Sequence, residues 1–594
     1  MTQRIQPSNN LVDIGGRAEV DRSVIGGFVS DGLGEGNVVR IYENSKVNGS
    51  VYGSRTYNGS ANVNTVLIAG NAQVHSVIFG ASADRSANEN WVVIAENATV
   101  DGSIYGGVGE NVSNSLVAVT SGKVTGNIYG GYALGGKTTD NTVVISSKAD
   151  VSQSGIYGGV SRSSSTDVSG NTLIIADSGV QAKSIENFDS VQINVTEPDR
   201  VVLTLTDQQE SSLDKTNLTV RLNTSISGSQ TALQKGAKWV LIDSGETELN
   251  FAEVNTDGEL VVKQGTSLIH RLELSESGQE MTLVSTETDD SSAIFSTGRL
   301  GVMAALIQAN NLVMGSGMQH ALDVIEKEHH GLYAIGSADN FRLDTAKDSE
   351  TQVDGLHWLF GSAARIGLND SLQLDTNVYF QVGTADVSAD KTKVEGSGDS
   401  SYGLGGAVRY WLSDALYAQV NAQLGRVSLD FKSTLTDVDR NIAKIDKQTT
   451  YYGAGATLGY CMVSSSDVLL DLNASYQWQH LRGFSDTVAN DPYAFDSIDS
   501  RRTVFAARMA YTGNSLLSPY VGLSWEHEFD GNANAKSYGL SLEELSLKGD
   551  TGSAQLGVYF KPSAPSSWRV DASINGYVGQ KEGVAGNNAV HWLY

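Results

Sequence analysis

Apolar and polar residues alternate one by one through segment after segment between Gly331 and Tyr594. Leu372, Leu374, Thr376, Val378, Phe380 and Val382 share one face of a stretch whose other face carries Gln373, Asp375, Asn377, Tyr379 and Gln381. Leu470, Leu472, Ala474, Tyr476 and Trp478 likewise stand opposite Asp471, Asn473, Ser475, Gln477 and Gln479. Val570, Ala572 and Ile574 stand opposite Arg569, Asp571, Ser573 and Asn575. A period of two makes each stretch a strand with one apolar and one polar face. These strands exceed the ~5–6 residues of ordinary soluble strands and approach the ~9–11 that a tilted strand needs to cross a bilayer.

Twelve strands are expected, starting near residues 331, 353, 371, 401, 415, 449, 467, 500, 517, 549, 568 and 584. Ala338 to Gln352, Ala385 to Ser400, Ser433 to Gln448, Arg482 to Ser500 and Asp530 to Lys548 read as long links. The links between them, Asn369 to Ser371, Leu412 to Asp414, Ser464 to Asp467, Gly513 to Ser518 and Pro562 to Ser567, are short. Long loops on one side, tight turns on the other and an even strand count are the pattern of an outer-membrane barrel. A soluble sandwich with uneven loops is the alternative.

The first third is a repeat. Val24, Val51, Ile78, Ile104, Ile128 and Ile156 recur at spacings of 24 to 28 residues, each followed by an aromatic residue and glycine except in the first copy, where Ile25 replaces the aromatic. A second strand signal lies between them, as in Asn64-Thr65-Val66-Leu67-Ile68 and Asn141-Thr142-Val143-Val144-Ile145. A fixed period of short strands means a solenoid, since one unit cannot bury its own apolar face. The reading is a parallel β-helix over 1–196, one coil per repeat, with Asn37, Asn64, Asn90, Asn141 and Asn171 forming an amide ladder and glycine where the chain turns at positive φ. The column Tyr52, Phe79, Tyr105, Tyr129 and Tyr157 either stacks on itself or offers a surface for a carbohydrate or partner. Strand signals continue through 197–290 as the repeat fades, and a cap is expected there because a bare coil end exposes an edge.

Ser291 to Glu328 reads as one helix within a linker at 291–330, too polar at Gln308, Asn310 and Asn311 to face lipid. At about 10–12 Å across it fits inside a twelve-stranded barrel. Asp375, Asp471, Gln477, Arg508 and Glu526 are expected to face the lumen and contact it.

Tyr451-Tyr452-Gly453-Ala454, Pro519-Tyr520-Val521-Gly522, His527-Glu528-Phe529-Asp530-Gly531, Ser546-Leu547-Lys548-Gly549 and Gly576-Tyr577-Val578-Gly579 together resemble the translocator barrel of autotransporters, the type V secretion proteins. The resemblance runs from the helix to the C-terminus and makes 331–594 the barrel. It implies a pore-plugging helix, an autochaperone-like role for 197–290, outer-membrane lipid as surroundings, and a passenger at the cell surface. It also implies that the ending Val590, Trp592 and Tyr594 is read by the barrel assembly machinery. Some family members release the passenger at an Asn-Asn pair in this helix. Asn310-Asn311 is such a pair, but the surrounding helix departs from the self-cleaving pattern and two amides bonded to a polar lumen are the favoured reading. Met1 to Val20 carries no apolar stretch of a secretory signal, a second departure, expected to reflect removal of the signal or a misplaced or truncated start.

At 594 residues the chain exceeds one core, and a net charge of −26 argues against a nucleic-acid partner. Cys461 is the single cysteine, so there is no intrachain disulfide, and it is expected to pack in the barrel wall. No run reaches ~18 apolar residues, so any membrane crossing is expected by strands. Gly-x-Ser-x-Gly and His-Glu-x-x-His motifs do not occur. Glu326, Glu328, His329 and His330 read as a solvated helix end rather than a metal site. The expectation is therefore an all-β chain with no catalytic residues, cofactor or metal. It would be a barrel that exports and anchors an adhesin-like passenger facing a host or cell-surface ligand. An unrecognised passenger enzyme and a porin-like channel are the alternatives.

Overall fold

The computed structural model describes residues 8–163, 167–197, 200–207, 213–222, 224–246, 249–328, 330–346, 349–369, 372–389, 394–464, 467–513, 516–562 and 568–592. It divides into two units, one holding most residues before 287 and the other the helix and barrel.

The first unit is the parallel β-helix. Val24, Val51, Ile78, Ile104, Ile128, Ile156 and Ile185 occupy equivalent positions in successive rungs. On a second face Ile41, Ile68, Ile94, Val119, Ile145, Ile175 and Ile193 form a stripe that is wholly buried. Stacking thus buries the stripe that each coil would leave exposed by itself. Parallel pairing continues past residue 196, through Asn217–Leu222 to Glu253–Thr256. An antiparallel pair, Lys238–Val240 with Glu280–Thr288, lies near the end of the same core, which includes Trp239, Leu272 and Met281.

The amide ladder forms as expected and is longer. The Nδ2 of Asn10 donates to Asn37 at 2.8 Å, Asn37 to Asn64 at 2.9 Å, Asn64 to Asn90 at 3.0 Å and Asn141 to Asn171 at 3.0 Å. Ser115 takes the missing rung, accepting from the Asn90 backbone and donating its own N–H to Asn141.

The corner itself differs from the expectation. The residue preceding each ladder position has φ of 54 to 72°, but only some of these are glycine: they are Asn9, Gly36, Val63, Glu89, Asn114, Asp140 and Gly170. The motif glycines serve another purpose. A Cβ on Gly53, Gly80 or Gly106 would stand 2.2 Å from a carbonyl oxygen of the next coil, so what excludes a side chain there is close approach rather than positive φ.

The second unit is a closed antiparallel barrel of twelve strands. They are β1 (His330–Ala346), β2 (Ser349–Asn369), β3 (Leu372–Ala389), β4 (Val394–Trp411), β5 (Leu416–Thr436) and β6 (Ile442–Val463). The remainder are β7 (Val468–Leu481), β8 (Ile498–Tyr511), β9 (Leu517–Glu528), β10 (Gly549–Phe560), β11 (Trp568–Gly579) and β12 (Lys581–Trp592). Closure pairs β1 with β12, from Leu332 opposite Trp592 to Leu343 opposite Lys581.

Polarity is inside out over the part of each strand nearest the short turns. Val378, Val420, Leu424 and Leu472 are exposed on the outer face, while Asp375, Asn377, Asn421 and Gln477 are buried within. That is the pattern of a lipid-facing wall around a wet lumen.

Three of the five expected long links are not loops. β1 to β6 have 17 to 22 residues and run on through them, whereas β7 to β12 have 12 to 14. The two faces exchange character along the way. In β5 the outer face changes from Val420 and Leu424 to Arg426 and Lys432, and the inner face from Gln419 and Gln423 to Val427, Leu429 and Phe431. Above the lipid the outside is solvated and the inside packs on the helix, so the alternation reverses and looks like lost pattern. The links at 482–497 and 529–548 are genuinely long. They fold into a four-stranded sheet of Phe484–Val488, Asp491–Phe495, Ala535–Ser537 and Leu540–Ser541.

Candidate functional site: the plugged pore

The helix lies inside the barrel. A 3₁₀ turn at Asp290–Ala293 leads into α1 (Ile294–Leu312), a π-helical turn follows at Val313–Gly317, and α2 (Met318–Glu328) completes it. The stretch Asp290–Ile325 is long and apolar enough on average to cross a membrane, contrary to the count of apolar runs, yet it is buried within the barrel. Gly298 and Gly301 bring α1 close to the wall. A Cβ on Gly301 would stand 2.4 Å from Val387, and one on Gly298 2.9 Å from Phe431.

Three layers hold this helix. Its N-terminal part, from Ile294 to Ile307, packs in an apolar cluster with Phe341, Val353, Val387, Leu429, Phe431 and Ile445 on the strand extensions and with Tyr493 and Phe495 of the long links. Its C-terminal part, from Leu312 to Ile325, packs with Tyr333, Ile335, Leu359, Tyr379 and Ala589. A polar belt lies between. The Asn310 amide donates to Gln477 at 3.3 Å, and the Asn311 amide donates to Glu526 at 3.2 Å while its oxygen accepts from Arg502 at 2.9 Å. Gln308 donates to the Tyr577 hydroxyl at 2.8 Å and accepts from Lys581 at 3.0 Å. Arg502 also pairs with Glu526 at 3.3 Å, so each buried charge in this belt meets an opposite charge or an amide.

Five lumen residues were expected to meet the helix, and two do so by hydrogen bonds, Gln477 and Glu526. The other three face inward but bind the wall. Asp375 accepts from Arg365 at 2.7 Å and Trp411 at 2.9 Å, and Asp471 accepts from the Tyr417 hydroxyl at 2.9 Å. Arg508 lies 4.0 Å from the centre of the Tyr520 ring. A twelve-stranded barrel is wider than one helix. A cavity of about 240 Å³ therefore remains beside Met314 and Gln319, with Asp471 and Arg508 on its far wall. Arg502, Lys581, Tyr577 and Gln308 complete the belt. Alternation marks the three strand residues as inward-facing, but it does not tell which inward residues lie at the helix.

Val590 and Trp592 project outward from β12, about half exposed, while Tyr594 lies outside the described residues, as do the side chains of Glu326, Glu328 and His329. Cys461 lies in the wall on β6, opposite Asp471 of β7.

Residues 334–575 match the model of the autotransporter beta-domain family. No curated protein matches the chain. Among solved structures, the translocator domain of autotransporter NalP from Neisseria meningitidis is 14% identical, with 48% of this chain and 97% of that one covered and a TM-score of 0.39. The transport unit of autotransporter AIDA-I from Escherichia coli is 11% identical, covering 47% and 97%, with a TM-score of 0.35. The family match spans the wall from β1 to β11, and with it the barrel of this chain is identified as an autotransporter beta-domain, joined through its pore helix to a β-helical passenger.

Proposed function

We propose that this chain is an outer-membrane autotransporter whose barrel supports export of the β-helix and then anchors it at the cell surface, where the passenger serves adhesion, cell-cell contact or shielding. The observation that carries this reading is the polar belt. A porin needs an open aqueous path, whereas here Gln308, Asn310 and Asn311 hold the connecting helix in the lumen. Insertion by the barrel assembly machinery, reading the end of β12, belongs to the same proposal. So does a passenger without enzymatic activity, since its sequence is largely a repeat and lacks the serine-hydrolase and zinc-protease motifs.

Protease added to intact cells should remove the solenoid and leave the barrel, and deletion of residues 8–286 should reduce cell-cell or host-cell attachment. A passenger resistant in intact cells but sensitive after lysis would overturn surface display. Hydrolysis of a substrate by the purified passenger would favour the enzyme reading, and steady single-channel current with the helix in place the porin reading.

The passenger is further proposed to stay attached, because both Asn310 and Asn311 are engaged by the wall. Mass spectrometry of the barrel from membranes should find the uncleaved linker; an N-terminus at Asn311 would refute this.

A further inference from the structure

Below the polar belt, at the end of the lumen where the short turns lie, two buried histidines face each other. His320 of α2 is 2% exposed and His591 of β12 fully buried, with ring centres 4.2 Å apart. Each has one ring nitrogen facing a fixed partner. His320 Nε2 lies 3.4 Å from Asp571, a carboxylate that also accepts from the Tyr520 hydroxyl at 2.9 Å. His591 Nδ1 bonds the Tyr559 hydroxyl at 3.0 Å. The other nitrogens, His320 Nδ1 and His591 Nε2, are buried with no hydrogen-bond partner. Asp323, one helical turn on from His320, brings a carboxylate oxygen to the same place. One ligand atom from each of His320, Asp323 and His591 falls within 4.8 Å of the others.

We infer that His320, Asp323 and His591 form a site for a divalent transition cation of the Zn²⁺ class, clamping the plug to the last strand. Two imidazoles and a carboxylate are a donor set that such a cation takes, with a fourth position for solvent. The cavity lined by His320 and Asp571 can supply that solvent molecule. Metal–nitrogen distances near 2.0–2.1 Å put tetrahedral ligand atoms about 3.3–3.4 Å apart, so side-chain rotation must close the gap by roughly 1.4 Å. The surroundings fit a metal as well. A histidine ligand is held by a carboxylate or other acceptor on its second nitrogen, which is the place of Asp571 beside His320. Two carboxylates, Asp323 and Asp571, offset a dication, while Arg569, opposite His591 on the neighbouring strand, Lys561 and Arg508 are the nearby cations. His320 and Asp323 travel with the helix and His591 with the closing strand, so the ion would fix the helix only after the barrel has closed.

The test is titration of the full chain, purified in detergent and stripped with chelator, with Zn²⁺ and in parallel with Co²⁺. One equivalent of Zn²⁺ should bind, Co²⁺ should show the visible absorption of a tetrahedral site, and Zn²⁺ should raise the unfolding temperature. H320Q and H591Q should each weaken binding about 100-fold or more and abolish the shift, while H527Q, on an exposed pair with Asp550, should bind as the parent does. Heat-modifiable migration of each variant on a gel reports whether its barrel has folded. The parent chain alone suffices to overturn the inference: a folded parent that binds no Zn²⁺, or binds it equally well as H320Q/H591Q, has no such site.

Discussion

Tyr417 of β5 lies across Gly459 of β6, its cross-strand partner, so closely that a Cβ on Gly459 would stand 2.1 Å from the ring's Cζ. The hydroxyl reaches Asp471 on the next strand at 2.9 Å, and the Arg409 guanidinium covers the ring at 3.9 Å. One ring thus ties four strands together across a bare backbone. Tyr333 over Gly361, Tyr379 over Gly405 and Tyr520 over Gly557 repeat the arrangement. G459V displaces the ring and breaks the Asp471 bond, and overpacking of this kind costs about 1–3 kcal/mol. Urea unfolding of the barrel in detergent should show that loss, while M462A, at an exposed outward position of β6, should have a much smaller effect.

The exchange of faces along β5 gives a second prediction. Val420 lies within the apolar outer stretch and Lys432 within the charged one. An arginine facing lipid near the bilayer midplane costs about 2–4 kcal/mol, falling toward zero at the interface. V420R should therefore weaken the folded barrel in lipid vesicles by about that amount, and K432L should change it by less than about 0.5 kcal/mol. Equal effects at both positions would mean that the lipid boundary is not at Arg426.

At the solenoid corner Val63 has φ of 54° and is 46% exposed. A left-handed conformation costs a side-chain-bearing residue roughly 1–2 kcal/mol, and asparagine tolerates it better than valine. Little packing is lost at so open a position. V63N should therefore stabilise the passenger by about 0.5–1 kcal/mol, read as a rise in its denaturation midpoint.

These two regions show what alternation and repeat spacing reveal and where they stop. The solenoid register was legible because Val51, Ile78 and Ile104 are forced by one stripe. Ser115 was not, since a hydroxyl can occupy an amide's rung without resembling it in sequence. Strand number was legible from alternation, but strand length was not, because Val427 and Leu429 keep the parity of Gln419 and Gln423 while reversing the polarity. At the pore, parity placed Gln477 and Glu526 inside. Which inward residues meet the helix depends on barrel diameter and helix rotation, neither written in one strand. His320 and His591 are joined only by closure, 271 residues apart.

His270, buried in the passenger, bonds Thr286 Oγ1 through Nδ1 at 2.8 Å, and burial pushes its pKa down from 6.5 to about 4. The folded state therefore holds a neutral ring where the unfolded chain takes up a proton. The associated stability is fully present above pH 6.5 and is lost as pH falls from there toward 4, with a slope of at most about 1.4 kcal/mol per pH unit. Unfolding of the passenger followed by circular dichroism should show this decline, and H270Q should flatten it.

Arg502 and Glu526 make the sharpest test of the polar belt, because Arg502 is 1% exposed on its side chain and Glu526 16%. Removing one member of a buried pair strands the other charge, which costs about 3–5 kcal/mol, whereas removing both costs far less. R502M should leave Glu526 with the Asn311 amide and no guanidinium, and E526Q should leave Arg502 facing Glu528 at 3.9 Å and the Asn311 oxygen. Each keeps a further opposite charge, Arg502 the Glu528 carboxylate and Glu526 the Lys581 ammonium of the same belt, so the two single changes should be comparably damaging. In a double-mutant cycle on the full-length barrel, R502M/E526Q should recover about 1–3 kcal/mol relative to the sum of the single changes. Additivity would mean that the two side chains are separately solvated, and the belt would then be wet rather than sealed around Asn311.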